Sequence, residues 1–334
     1  MIKLILIALY AFVTTATTTK LDSLPALWST WKTKYRKSYS ASEELERFGI
    51  FVENLAKIAK MNSKSTTAKF AINQFADLTS TEFSQLYANN NFNKKHSERF
   101  ELTEITETKT NNDLPSHFDW RSKGAVTPVQ DQGECGSSWA FAANTVIEGA
   151  YFIKHGQLIS LSEQQLIDCS KSYGNLGCNG GLMINAYRYV IAKGGIVGED
   201  DYPYTAEEGI CQYDPSKIKA AIESYKLVTS RNSQALKAAI YEGPVSVAID
   251  SSSLAFQFYY SGVLDVDCGI DLNHAVALVG YGDDVEGSGY FITKNSWGVD
   301  WGDRGYIKLS ADQSINNGLG ICGVLVIPET VKVF

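Results

Sequence analysis

The sequence predicts an α+β fold in which a helical lobe and a strand-built lobe face each other across a cleft. Two observations carry this expectation. After Leu114 the first part of the chain has helical runs at about Ser138 to Lys154, with Gly156 as the stop, and at Ser162 to Asp168. From about Lys219 onward, short β-branched and aromatic runs dominate: VSVAID, HAVALVGYG, YFITKNSW and GYIKLS. A helical half followed by a strand-rich half folds as two packed bodies. With 334 residues, 44% hydrophobic and 20% charged, the chain can bury a large core.

The elements follow in order. The N-terminus has one cation, Lys3, then an apolar run from Leu4 to Val13, then small residues around Thr14 to Ala16. That run is too short to span a bilayer as a helix, so residues 1–16 read as a signal peptide. No other stretch is apolar enough to span, so no membrane contact is expected after signal removal. Residues 24–80 read as helical. Ser40 and Glu43 form a capping box that opens a helix to about Asn62. Leu45, Phe48, Phe51, Val52, Leu55 and Ile58 line one apolar stripe of it. Residues 84–113 are polar, rich in Asn and Thr, and read as an extended, cleavable connector. The compact domain then runs from 114 to 334.

Charge and cysteine usage narrow the function. A net charge of −7 without a basic stripe excludes nucleic acid as a partner. Six cysteines (135, 169, 178, 211, 268, 322) follow the signal peptide, and an even count in a secreted chain reads as three disulfides. No Cys-x-x-Cys pair occurs and only four His exist, so neither a metal nor another cofactor is expected. Six Cys allow fifteen pairings, and spacing does not choose among them.

Several motifs together carry a resemblance. Glu43, Arg47, Phe51, Asn54, Ile58 and Asn62 form an interspersed E-R-F-N-I-N pattern, and Asn73, Phe75 and Asp77 a second motif, with Ala71 where Gly is preferred. LPSHFDWR (114–121), QGECGSSWAF (132–141), CNGG (178–181), LNHAVALVGYG (272–282) and KNSWGVDWGDRGY (294–306) follow. In this order the chain resembles the papain-like cysteine peptidases, and cathepsin L-type zymogens in particular, over nearly its whole length after the signal peptide. The resemblance implies a two-lobed papain-like fold, with a helical left lobe and a β-barrel-like right lobe. It also implies an inhibitory helical propeptide over 17–113 and a peptidase domain over 114–334. It pairs Cys135 with Cys178, Cys169 with Cys211 and Cys268 with Cys322.

The resemblance also assigns a site. His274 would be the base and acid, Asn295 its orienter, and Trp297 the shield over that pair. The Gln132 side-chain amide and the N–H of residue 138 would form the oxyanion hole. Gly180 and Gly181 would let a substrate backbone approach closely, and Leu182, Met183, Ala248, Leu272 and Ala275 would wall an apolar S2 pocket. The implied partners are a peptide or protein in the cleft and the chain's own propeptide as inhibitor. A monomer in the secretory pathway is expected, bound for a lysosome, a vacuole or the outside of the cell.

Two departures matter. The family signature is C-G-[SA]-C-[WY] with His and Asn far downstream, and the second Cys here is Ser138. After Cys322 the tail GVLVIPETVKVF is also not the family's usual ending. The family's nucleophile is a thiolate; in papain its pKa is about 3–4, set by the imidazolium and a helix N-terminus. A hydroxyl cannot be ionised in advance this way and needs His274 as a true general base, without the buried Asp of Ser-His-Asp enzymes. Four readings follow. They are a peptide-binding homologue with little turnover, and a Ser-His-Asn hydrolase or condensing enzyme like the silicateins of sponges, which also place Ser here. The others are a Cys-to-Ser change introduced to trap an active zymogen, and a structural or storage protein.

Overall fold

The computed structural model describes residues 23–65, 67–88, 114–266, 268–283 and 289–334. The signal-peptide reading of 1–16 and the connector from residue 89 to 113, with its cleavage point, lie outside the described residues.

The N-terminal part is a helical body. Helices α1 (Leu24–Tyr35) and α2 (Ala41–Lys64) meet through rings, with Trp28 and Trp31 lying 5.1 and 5.3 Å from Phe51. At the start of α2 the Glu43 carboxylate accepts from the backbone N–H and the hydroxyl of Ser40, at 3.1 and 2.7 Å. Phe51 and Ile58 are buried, and Phe48, Val52 and Leu55 pack half-buried beside them. Leu45 departs from the expected stripe: it is 70% exposed, one turn into the helix and beyond the packed face. Asn54 takes its place in the core, fully buried, with its amide donating to the carbonyls of Ala76 and Leu78 at 2.9 Å each.

Helix does not continue to residue 80. Strand β1 (Lys69–Phe70) opens an extended stretch, because its backbone groups have better partners than a helix would give them. Asn62 brackets Phe70, donating to its carbonyl at 2.8 Å and accepting from its N–H at 2.9 Å. Ala71 N–H donates to Phe258 O at 3.0 Å. Helix α3 (Ser80–Tyr87), opened by Thr79 and Glu82 as a capping box, then occupies the first residues of the expected connector.

From residue 114 the expected order holds. Strand β2 (Phe118–Asp119) precedes the helical lobe of α4 (Ser138–His155), α5 (Glu163–Cys169) and α6 (Met183–Lys193). Strands β3 (Ile196–Val197) and β4 (Ile218–Ala220) pair at its edge. The second lobe holds β5 (Ile222–Leu227), α7 (Ser233–Glu242), β6 (Val245–Ile249), α8 (Leu254–Gln257), β7 (Tyr259–Ser261), β8 (Val263–Leu264), β9 (His274–Asp283), β10 (Gly289–Lys294), β11 (Tyr306–Ser310) and β12 (Pro328–Val333). Its sheet runs β5-β12-β6-β9-β10-β11-β8, with β2 added to β9. This is the papain-like fold that the sequence predicts. Helices α6 and α7 had no counterpart in the sequence reading.

Two cores result. Trp139, Ile147, Leu166, Met183 and Tyr187 belong to that of the helical lobe, which reaches Ala248 and Ala275 on the sheet. The other joins Phe256, Trp297 and Trp301 of the sheet lobe to Trp31, Phe51, Phe75 and Phe83 of the N-terminal body. The disulfides are Cys135–Cys178, Cys169–Cys211 and Cys268–Cys322, as the resemblance implied, with Cα separations of 4.6, 4.8 and 4.9 Å. All six Cys of the chain are thereby used. No described helix is long and apolar enough to cross a membrane.

Candidate active site

The two lobes contribute different halves of one site. From the helical lobe comes Ser138, first residue of α4, 2% exposed, with Ser137 as the N-cap. Gly136 makes the preceding turn possible: its N–H donates to Cys178 O at 2.8 Å, and a Cβ there would lie 2.5 Å from that oxygen. The Cys135–Cys178 disulfide ties the same two loops. From the sheet lobe comes His274 at the first position of β9, with Asn295 directly after β10, its ladder neighbour.

The halves touch. Ser138 Oγ accepts a hydrogen bond from the N–H of Ala275 at 3.2 Å, so the hydroxyl lies against the residue next to His274. His274 Nε2 lies 2.7 Å from Asn295 Oδ1, which also accepts from Ser296 N–H at 2.9 Å. The second bond keeps the amide oxygen toward the ring, so Nε2 donates and Nδ1 is the basic nitrogen. The Trp297 indole lies 4.6 Å from the imidazole, centre to centre, and both rings are buried. Burial holds the His274 pKa down at about 4, against the opposing bond from Asn295, so the ring is neutral at pH 5.

Gln132 is fastened on every side. Its N–H donates to Ser296 O at 2.9 Å, its Nε2 donates to Cys135 O at 2.9 Å, and its Oε1 accepts from the Ser296 hydroxyl at 2.6 Å. Ser296 was not singled out in the sequence, although it stands inside the KNSW block. Leu182, Met183, Ala248 and Ala275 are buried and Leu272 is half-buried, and the last four share the helical-lobe core. Gly180 has φ +108°, a conformation that favours glycine. At Gly181 a Cβ would lie 2.6 Å from the Trp139 ring and 2.7 Å from Asn175 Oδ1.

The N-terminal body covers the sheet-lobe side of this site. Phe75, Phe83 and Tyr87 set ring edges against Trp297 at 5.6, 5.3 and 6.2 Å. Gln74 Nε2 donates to Trp297 O at 2.7 Å, Asn73 Nδ2 donates to Gln257 O at 2.7 Å, and β1 pairs antiparallel with β7.

The sequence matches the profile of the papain family cysteine proteases over residues 114–327, and that of the cathepsin propeptide inhibitor domain (I29) over 28–83. The chain belongs to the papain family. It is 43% identical over 333 residues to a cathepsin L-like peptidase of Aedes aegypti, covering 95% of this chain and 98% of that protein. A cathepsin L1 of Drosophila melanogaster is 42% identical over 317 residues, covering 91% and 84%. The proform of Amb a 11, a ragweed pollen cysteine protease, superposes with a TM-score of 0.84 at 35% identity, covering 96% and 98%. Digestive procathepsin L 3 of Tenebrio molitor superposes with 0.80 at 38% identity, covering 92% and 99%. The chain is thus a papain-family peptidase zymogen of cathepsin L type, and residues 28–83 are its propeptide inhibitor domain.

Proposed function

We propose that this zymogen yields a peptide-binding papain-family protein with little or no thiol-peptidase activity, because Ser138 stands where the nucleophilic thiol belongs. The observation that carries the reading is the combination of a preserved His274–Asn295 bond with a serine at the head of α4 and no cysteine left outside a disulfide. Gln132 and the N–H of Ser138 act as the oxyanion-hole donors, and Trp297 shields the His274–Asn295 pair. Leu182, Met183, Ala248, Leu272 and Ala275 take a bulky apolar side chain of the bound peptide. The segment 17–113 is the propeptide and 114–334 the peptidase domain, made in the secretory pathway.

One observation favours a second reading, in which Ser138 turns over esters or silicate-like substrates. The neutral His274 could accept the hydroxyl proton at Nδ1 at mildly acidic pH. Asn295 then supports an imidazolium with a dipole only, where a Ser-His-Asp enzyme uses a full charge.

Ser138→Cys separates these readings from a decayed cleft. The new thiol would sit at the N-terminus of α4, against the residue next to His274, and the helix N-terminus favours the thiolate. Incubated at about pH 5, the variant should shorten by about a third, by cutting before Leu114, and then hydrolyse a Phe-Arg dipeptide substrate. A correctly disulfide-bonded variant that neither processes nor cleaves would overturn the site assignment. With native Ser138, a thiol-directed epoxide should label no cysteine by mass spectrometry; loss of esterase activity in Ser138→Ala would favour the second reading.

A further inference from the structure

A tyrosine outside every motif of the sequence reaches both sides of the nucleophile loop. Tyr204 lies in the helical lobe, past β3. Its hydroxyl donates to Gln132 O at 2.6 Å and lies 2.7 Å from the hydroxyl of Ser137, the residue immediately before Ser138. With its own proton committed to Gln132, the phenol oxygen accepts from Ser137 Oγ. One oxygen therefore joins Gln132 to Ser137, the residue before Ser138, and the Gln132 side-chain amide and the Ser138 N–H are the two donors proposed above for the oxyanion hole.

The tyrosine is itself held. Its backbone N–H donates to Glu199 Oε1 at 2.9 Å, the following Thr205 N–H donates to Gln164 Oε1 at 2.9 Å, and its ring meets Phe141 of α4 edge-on at 4.9 Å. Ser296 fastens Gln132 from the sheet lobe through the N–H and the side-chain oxygen; Tyr204 fastens its carbonyl from the helical lobe. Gln132 is thus strung between the lobes, and the Tyr204 hydroxyl is its tether on the nucleophile side. The phenol is driven well above its ordinary pKa, mainly by burial, so it stays a neutral donor through the acid and neutral range.

We infer that Tyr204 is a positioning residue, whose hydroxyl sets the separation between the Gln132 amide and the residue-138 N–H and so tunes the oxyanion hole. The inference rests on the reading of Gln132 and Ser138 as oxyanion donors. Such donors act only when already aimed at the developing charge, and displacements near 1 Å can cost on the order of 100-fold in rate. An error here should therefore appear in the chemical step and not in peptide binding.

The test compares Ser138→Cys with Ser138→Cys/Tyr204→Phe, and with Ser138→Cys/Ser137→Ala, which removes the second bond to the same oxygen. All are processed and assayed on one dipeptide substrate. We expect Tyr204→Phe to lower kcat about tenfold with KM within twofold, and Ser137→Ala to lower kcat by less. The Tyr204→Phe ratio should be the same at pH 4.5 and pH 7, because the tyrosine does not titrate there. Unchanged kcat in Tyr204→Phe, or a loss carried by KM, overturns the positioning role. So does a Tyr204→Phe variant that fails to form the three disulfides, since the residue is then a folding element. If Ser138→Cys itself folds but is inert, the oxyanion-hole reading fails first and the role of Tyr204 falls with it.

Discussion

The two halves of the site are built by opposite means. The sheet-lobe half, His274 and Asn295, is placed by ladder register: His274 pairs with Ile249 of β6, and β10 pairs with β9 up to Lys294, the residue before Asn295. The helical-lobe half, Gln132 to Ser138, is loop, placed by individual fastenings: a disulfide, the Gly136 turn, the Ser296 hydroxyl and the Tyr204 hydroxyl. The halves also differ in response to acid. His274 carries a displaced pKa, whereas Gln132, Ser137 and Ser138 do not titrate. A register-built half is damaged only with the fold; a fastened half can change chemistry while the fold stays intact. Ser138 belongs to the second kind.

Truncation in the ladder should have the largest effect on stability. Leu278 on β9 is fully buried, and Leu278→Ala should cost about 2–5 kcal/mol in urea unfolding, with peptide binding lost in parallel. Binding lost without a change in the unfolding midpoint would break the comparison.

The acid response comes next. The folded His274 pKa of about 4 lies below the unfolded value near 6.5, so the folded state binds fewer protons between them. Its contribution is therefore present above pH 6.5 and is lost as pH falls toward 4, by roughly 3 kcal/mol in total. His274→Gln should flatten that part of the stability–pH curve. Glu329 on β12 gives the opposite slope. Burial raises its carboxyl to about 8 against Arg188, so its contribution is present below 4.5 and lost as pH rises toward 8. Glu329→Gln should flatten the opposing limb, between about pH 4.5 and 8. Variants that leave both limbs unchanged would remove the acid response from the contrast between the halves.

In the fastened half, Gly136→Ala should cost about 1–3 kcal/mol, because the added Cβ would meet the Cys178 carbonyl and overpack the turn. The smallest effect belongs to the propeptide rim. Lys34 and Asp300 lie 3.4 Å apart with both side chains more than half exposed, so Lys34→Ala should change propeptide affinity by less than about 1 kcal/mol.

The same division explains what the sequence could disclose. Strands β6, β9, β10 and β11 are legible because alternation and β-branching are local signals, whereas His274 and Asn295 are singled out only by the family resemblance. Residues 67–78 were read as helix because the partners that hold them extended, Asn54, Asn62 and Phe258, are distant in sequence. Leu45 was placed inside by its apolarity, while Asn54 won the buried position through two carbonyl acceptors. Helices α6 and α7 sit in stretches rich in Tyr, Ile and Ala, where helix and strand periods compete. Gly181 is legible as a glycine position, but the Trp139 ring that crowds it is 42 residues away and is not. Tyr204 belongs to no pattern, since its two hydroxyl contacts lie 67 and 72 residues away along the chain.

Trp297 is fully buried, and the rings of Phe75, Phe83 and Tyr87 from the N-terminal body pack edge-on against it. Its indole is thus an optical reporter at the point where inhibitor and active site meet. Departure of Phe75, Phe83 and Tyr87 would pass that indole from a ring-lined cage to water and move its emission to longer wavelength. With Trp28 and Trp31 replaced by Phe, zymogen opening could be timed by fluorescence without a substrate.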